Sequence, residues 1–306
     1  MNDIVVSISC ITYNHEPYIR KCLDGFVMQK TNFIFEVLIH DDASTDGTAT
    51  IIREYVDKYP NLIKPIFQTE NQYSKGVPIS QTYNWPRARG KYIALCEGDD
   101  YWTDPYKLQK QVDFLEANSD YSLCFANAIE HWEDGSKDDR CFSNVEDRDY
   151  TGVEIYKKWT IPTASVVYRK EIAFSDRFKE VTSNRNFIFG DIVCFLTCAE
   201  FGKLRGMSDI VSVYRRHDNG MTIAKLKDWD LKFLKHHIAI YEVFNIFVEL
   251  YHVDFLSRFF VYSLLRRKNV LIGYRLLFFS LKKSFFRTIK IIFITIGKII
   301  KNKMKI

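Results

Sequence analysis

The sequence predicts an α/β fold with a mostly parallel sheet, followed by a helical, basic C-terminal region. Three observations predict it. Short β-branched runs alternate with segments of helical periodicity through the first half of the chain. Three of those runs end in polar clusters, Thr12-Tyr13-Asn14, Asp41-Asp42 and Asp99-Asp100. Charge is also divided: of 43 Lys/Arg and 38 Asp/Glu, 13 basic and no acidic residues fall from Phe255 to Ile306, leaving 30 basic against 38 acidic before them.

The elements follow in order. Val5–Thr12 is an apolar, β-branched run and reads as a buried strand. Ile19, Cys22, Leu23, Phe26 and Val27 share one helical face. Phe35–Ile39 is the second strand; Ser44-Thr45-Asp46-Gly47 then offers N-caps for a helix carrying Thr48, Ile51, Ile52, Tyr55, Val56 and Tyr59. Leu62–Gln68 and Lys91–Cys96 are the third and fourth strands, separated by a polar loop. Asp104-Pro105 predicts the next helix, with Asp as cap and Pro in its first turn. Strands joined by helices imply right-handed crossovers and parallel pairing. Further on, Tyr121–Trp132 and Ala164–Arg169 read as strands and Asp191–Phe201 as a short helix. Beyond about Trp229 the pattern is helical and aromatic.

Composition bounds the function. With 306 residues, 47% hydrophobic and 26% charged, the chain can bury a substantial core. A uniformly basic nucleic-acid binder would not carry an acidic body, so no nucleic-acid partner is expected. Seven scattered cysteines without CxxC spacing suggest reduced thiols, and the first residues show no signal-peptide pattern. Both point to the cytoplasm. No GxGxxG follows the first strand, which removes the pyrophosphate cradle of a nicotinamide-dependent enzyme.

Ligands of an open parallel sheet sit beyond the carboxyl ends of its strands. A strand-end Asp can be only a turn former, but three polar clusters at such ends favour a site. Adjacent carboxylates at Asp99 and Asp100 repel each other unless a cation or hydrogen-bond donors share their space. Hard oxygen ligands with room for phosphates suit Mg²⁺ or Mn²⁺. A solvated turn is the plain alternative.

The segments ISCITYNHEPYIRKCLDGFVMQ, EVLIHDDASTDGT and ARGKYIALCEGDDYWTDPYKLQKQVDFL resemble glycosyltransferase family 2, an inverting family with the GT-A fold, and the likeness extends to about Arg216. The resemblance implies a GT-A domain over residues 1–225 and a helical region over 226–306. It places Thr12, Tyr13 and Asn14 at the nucleotide base and Asp42 as acceptor of a uracil N–H. Asp99 would contact the ribose, and Asp100 would bind the metal, with His217 completing the metal shell or touching the diphosphate. Asp191 would be the catalytic base. Glu97 stands where many members have Asp, and Gly190 where members usually have Glu. The implied reaction moves a sugar from a nucleotide-sugar donor, expected to carry UDP, to an acceptor, and the basic tail, read as membrane-associated, suggests that this is a saccharide or lipid-linked acceptor in surface polysaccharide biosynthesis. A catalytically inactive membrane-associated module is the alternative. Asp191, at the N-terminus of its helix, is expected to stay ionised.

In the tail, Lys283, Arg287, Lys290, Lys298, Lys301 and Lys305 form one helical stripe, with Phe285, Phe286, Ile289, Ile292, Phe293, Ile296, Ile299 and Ile300 expected opposite. Its longest uncharged run is far short of the roughly 20 residues that span a bilayer. The expectation is a helix lying on an anionic membrane, peripheral to the inner face. A helix packed on its own domain is the alternative.

Overall fold

The computed structural model describes residues 3–218, 220, 229–246, 261, 274, 277, 278, 280–282 and 284–303. They group into two compact units, Met1–Ser183 with Gly190–Ala224 and Asn184–Phe189 with Lys225–Ile306.

In the first unit, β1 (Ile4–Thr12) lies between β2 (Ile34–Asp41) and β4 (Tyr92–Leu95), and β3 (Ile63–Phe67) adds beyond β2. These four strands are parallel, with Thr12 opposite Asp41 and Ser9 opposite Leu95. Their carboxyl ends therefore open at one edge. The sheet then changes sense. The strand β9 (Val167–Arg169) is antiparallel to both β4 and β6 (Tyr121–Trp132), and β10 (Lys203–Arg216) runs parallel to β6. The two-residue β7 (Arg140–Cys141) and β8 (Asp149–Tyr150) pair antiparallel with β6 and β10, and the two-residue β5 (Tyr101–Trp102) pairs antiparallel with β10, matching Tyr101 to Val213. That pairing carries the end of β10 back to the loop after β4.

The packing follows the sequence periodicity. Helices α1 (Ile19–Val27), α2 (Thr48–Lys58) and α3 (Lys107–Ala117) bury Ile19, Leu23, Phe26, Ile52, Leu108 and Val112 against Val6, Ile8 and Cys10 of β1. A side chain at Gly25 would meet Trp102 N at 2.9 Å, so α1 reaches β5 only because residue 25 has none. Further along are α4 (Gly152–Lys158), α5 (Lys170–Phe174), α6 (Asp176–Thr182) and α7 (Gly190–Phe201). Helix α7 buries seven consecutive residues, Ile192–Cys198, as an all-round apolar helix must.

One helix starts later than expected. Asp104 does not cap α3: its Oδ1 accepts the Tyr106 N–H at 2.8 Å and its carbonyl accepts Lys107 N–H at 3.2 Å, closing a turn before the helix begins at Lys107. The carboxylate satisfied a nearer amide than the helical one.

In the second unit, α8 (Trp229–Phe244) and α9 (Phe285–Lys303) are described. Among the described residues, no helix is long and apolar enough to cross a membrane. Lys283 and Lys305 of the expected stripe lie outside the described residues, as do the side chains of Lys298 and Lys301. The stripe is also not opposite the aromatics. The buried row of α9 is Thr288, Ile291 and Thr295, while Phe285, Phe286 and Phe293 are exposed with Lys290.

Candidate active site

The site is assembled from loops that leave the carboxyl edge of the sheet. After β1 the chain turns at Asn14, whose φ of 53° is in the left-handed region that Asn tolerates. Asn14 N–H donates to Ser44 Oγ at 2.9 Å, and its side-chain oxygen accepts Thr45 N–H at 2.8 Å. His15 N–H donates to Thr48 Oγ1 at 2.8 Å, and Glu16 accepts the Gly47 N–H at 2.8 Å. The loops after β1 and β2 are thus locked together. Asp42 joins a third loop, accepting Gln72 N–H at 2.8 Å and Tyr73 N–H at 2.9 Å, one on each oxygen.

The loop after β4 is pressed onto β1. Gly98 N–H donates to the Ile11 carbonyl at 2.9 Å, and a Cβ on Gly98 would stand 2.6 Å from Thr12 Oγ1. Only glycine permits this approach. The thiols of Cys22 and Cys96 both point at the Glu97 carbonyl, at 3.4 and 3.6 Å. Three carboxylates, Glu97, Asp99 and Asp100, then follow within four residues.

Each carboxylate is perturbed differently. Burial, then the charge of Asp99, raises the Asp100 carboxyl well above its ordinary value, although Oδ1 accepts the Arg215 N–H at 2.9 Å. Burial also opposes ionisation of Asp99, but the His217 hydrogen bond and the charges of His15 and His217 outweigh it and hold Asp99 low. Glu97 is open to water at its surface but ringed by protein. That surrounding, with the charges of Asp99 and Asp191, pushes its carboxyl up to about 8. The site concentrates more negative charge than its own donors neutralise.

The opposite wall comes from the end of β10. His217 Nε2 lies 3.1 Å from Asp99 Oδ2, and His15 Nε2 lies 3.8 Å from the same oxygen. Tyr18 packs on the His217 ring with centroids 4.5 Å apart, and the Arg215 guanidinium lies over the Tyr18 and Tyr101 rings at 5.1 and 4.6 Å. Four buried polar atoms here have no hydrogen-bond partner: Thr12 Oγ1, His15 Nδ1, Asp99 Oδ1 and His217 Nδ1. Buried polar groups are rarely left unpaired, so their convergence points to a polar ligand.

Asp191 begins α7. Its Oδ1 accepts the Ile192 N–H at 2.8 Å and its Oδ2 accepts the Thr163 hydroxyl at 3.2 Å. Burial is the largest influence and raises its carboxyl, against both hydrogen bonds. The helix terminus therefore does not dominate as expected; desolvation does. A side chain at Gly190 would meet nothing within 4 Å, so no steric demand explains glycine there.

Thr12, Asn14, Asp42, Asp99, Asp100 and His217 thus gather at one edge of the sheet, and the charge of Asp191 is felt there at Glu97. Tyr13 is 43% exposed. His15, Tyr18, Thr163 and Arg215 were not singled out from sequence. His15 directly follows the Thr12-Tyr13-Asn14 cluster, and Arg215 lies two residues before His217, so their positions were the available signal. Thr163 carried none.

The fit to a divalent cation can be judged from the donors. Among the described residues no three His, Cys, Asp or Glu side chains form a metal cage. Asp100, raised by burial and then by the charge of Asp99, and Asp99 Oδ1, buried without a partner, are hard oxygens suited to an ion that also takes phosphate oxygens.

Known proteins agree with this architecture. The profile of the family described as Glycosyl transferase family 2 matches residues 7–174. An uncharacterized protein of Mycobacterium tuberculosis is 41% identical over 216 residues, covering 71% of this chain and 60% of the relative. A Bacillus subtilis protein provisionally named a teichuronic acid biosynthesis glycosyltransferase is 25% identical over 224 residues, 73% of this chain and 83% of that one. Among solved structures, Staphylococcus aureus TarS residues 1–349 with UDP-GlcNAc superposes with a TM-score of 0.58 at 19% identity, over 78% of this chain and 67% of that one. The Pyrobaculum calidifontis mannosyltransferase PcManGT, with GDP-Man and Mn²⁺, gives 0.52 at 17% identity, over 78% and 63%. These two likenesses establish the fold.

Proposed function

The chain belongs to glycosyltransferase family 2, and on that premise we propose that it transfers a sugar from a nucleotide-sugar donor, carrying UDP, to a saccharide or lipid-linked acceptor with inversion. The observation that carries the reading is the under-bonded acid cluster: Asp100 raised by burial and by Asp99, beside a buried Asp99 Oδ1 with no partner. A nucleoside diphosphate with its cation is the ligand that would satisfy both.

Asp100 would hold a divalent ion, Mn²⁺ or Mg²⁺, which supplies positive charge for the departing diphosphate; the unpartnered Oδ1 of Asp99 suits a share in that ion as well as the ribose contact that the family likeness implies. His217 is fixed by its Nε2 against Asp99 Oδ2, and its buried Nδ1 has no partner within the protein. Asp42 braces the loop at Gln72 and Tyr73 while keeping lone pairs for a base N–H. Asp191 takes the proton from the attacking acceptor hydroxyl. A carboxylate raised toward neutrality is a better base than an ordinary one. Attack from the face opposite the leaving group inverts the anomeric centre.

A uridine donor is favoured by the Asp42 carboxylate, which accepts the imide N–H of uracil and has no use for the ring acceptor of cytosine. The TarS neighbour was solved with UDP-GlcNAc and PcManGT with GDP-Man, so the two likenesses alone point to different bases. A surface-polysaccharide acceptor takes support from the name of the Bacillus subtilis relative. Seven free cysteines, six of them buried, suit a reducing cytoplasm, and we read the place of action as the inner face of the cell membrane. The deciding experiment is a thermal-shift panel of UDP, CDP, GDP and their sugars, with Mn²⁺ and with chelator, followed by donor-hydrolysis assays. Stabilisation by UDP that needs metal, with turnover of a UDP-sugar, is the expected result. Equal shifts for UDP and GDP would remove the uridine assignment. Full turnover in excess chelator would remove the metal.

A further inference from the structure

Helix α9 presents its residues in an unexpected order. Its buried row is Thr288, Ile291 and Thr295, and the threonines bond internally: Thr288 to the Ser284 carbonyl at 2.7 Å and the Ser280 hydroxyl at 2.8 Å, Thr295 to the Ile291 carbonyl at 2.7 Å. Its outer row carries Phe286 and Phe293, 87% and 71% exposed, and Phe285, Ile294 and Ile296 are exposed with them. A helix held only by its own protein turns Phe inward and Thr outward, because burying a Phe side chain is worth roughly 1.5–3 kcal/mol. Here the order is reversed. Single exposed apolar residues are ordinary, but a row of them marks a surface that something else covers.

Charge identifies the cover. Lys282 and Lys290 are exposed, and at 100° per residue Lys290 lies only about 40–60° around the helix from Phe286 and Phe293. The chain from Phe255 onward has 13 basic residues and no acidic one. A surface must therefore take aromatic side chains and compensate positive charge along the same flank. An anionic lipid surface does both within a few ångströms of depth. A second copy meeting through this row about a two-fold axis near its middle would bring Lys290 close to the partner's Lys290, a like-charge contact that a lipid surface does not impose. At 19 residues, α9 is about 28 Å long, and among the described residues no helix can cross a bilayer.

We infer that α9 docks the protein flat on an anionic lipid surface, with Phe286 and Phe293 entering the acyl boundary while Lys282 and Lys290 meet the headgroups. This attachment is independent of which sugar is transferred, and it stands or falls without the transfer reaction.

The test uses the full chain and vesicles of phosphatidylcholine with or without phosphatidylglycerol. The protein should co-sediment only with the anionic vesicles, and rising salt should weaken binding without abolishing it. Phe286→Ser with Phe293→Ser should lower partitioning by ~10²-fold. Lys282→Glu with Lys290→Glu should lower it by roughly tenfold or more and erase the preference for phosphatidylglycerol. Circular dichroism and the melting temperature of each variant check that it folds. A conservative Phe286→Trp variant should gain a fluorescence component that brominated acyl chains quench, which guards against misfolded serine variants. Wild-type protein remaining in the supernatant at low salt would overturn the inference. So would serine variants that bind like wild type, a Phe286→Trp fluorescence component that brominated lipid leaves unchanged, or a dimer that the serine changes break in protein indifferent to vesicles.

Discussion

The dipeptide Asp-Asp follows both strands that flank β1, yet the two pairs live in opposite circumstances. At Asp41-Asp42 the protein supplies the donors. Asp41 accepts the Ser44 hydroxyl, and Asp42 accepts two backbone N–H groups, one per oxygen. At Asp99-Asp100 it supplies fewer: one backbone N–H reaches Asp100, His217 reaches one oxygen of Asp99, and the other oxygen of Asp99 is buried with none. Asp42 is 3% exposed and Asp100 2%, so burial does not separate these two acids. Donor supply does. Asp42 already has a backbone donor on each oxygen and only spare lone pairs to offer, whereas Asp100 and the Oδ1 of Asp99 are satisfied only when something else arrives. Evolution of a binding site commonly spends stability in this way.

The sharpest break of that comparison is Asp100→Asn. A carboxyl whose folded value is raised stabilises the fold fully only below its unfolded value, and loses that contribution as pH rises through the folded one. Near neutrality Asp100 thus opposes folding in the metal-free protein, and the neutral amide removes the opposition. We expect transfer to fall by roughly 10³-fold or more, the scale of losing a preorganised electrostatic contact, while the metal-free melting temperature holds or rises. A large loss of both activity and stability would show that Asp100 is structural after all.

Asp191→Asn comes next. Asp191 belongs with the under-compensated carboxylates, since burial prevails over its two hydrogen bonds. Turnover should drop by roughly 10²–10⁴, the usual share of a positioned base, with UDP affinity nearly unchanged. Collapse of UDP binding with residual turnover would move Asp191 to the donor side.

Thr163→Val asks for a smaller effect. The Thr163 hydroxyl is one of the groups that pulls the Asp191 carboxyl down. The segment carrying it is anchored by Trp102 Nε1 on the Ala164 carbonyl at 2.7 Å and by Gln111 on the Ser165 carbonyl at 2.8 Å. A base works deprotonated, so the rate falls on the acid side, and a higher base value moves that limb to higher pH. Valine should shift the acid limb of kcat upward and serine should restore it. An unmoved limb would deny Thr163 a hold on the base.

Much of this was legible before the fold. Hydrophobic period placed β1, α1 and β6 within a residue or two, because each has one buried face or a continuous apolar run. Motif position placed the acids at the carboxyl edge. What could not be read was the partnering. Whether Asp42 or Asp100 receives backbone amides depends on the Gln72–Tyr73 loop and on Arg215, which lie 30 and 115 residues away in the chain. The reversed face of α9 was hidden for a related reason. Periodicity shows that two faces differ, but not which one the protein turns inward.

The smallest activity change is expected at Asp42→Asn, and it completes the comparison. An amide keeps one acceptor oxygen and turns the other position into an N–H₂ donor, which must face either Gln72 N–H or Tyr73 N–H. Donor then meets donor, and a largely buried amide loses its partner at a cost of about 1–3 kcal/mol. The melting temperature should fall, with or without metal, because no ion is involved in the loss. Turnover at saturating donor should change by less than roughly tenfold, since Asp42 touches no reacting atom; the preference for UDP over GDP should narrow as the carboxylate acceptor disappears. The two substitutions should therefore cross, with Asp100→Asn stable and nearly inactive and Asp42→Asn active and destabilised. Thermal melts in chelator, paired with donor hydrolysis in Mn²⁺, read both axes on the same samples. If Asp42→Asn instead kept its melting temperature and lost turnover as deeply as Asp100→Asn, the hydrogen bonds at Gln72 and Tyr73 would not be what holds that pair, and donor supply would cease to distinguish the two acids.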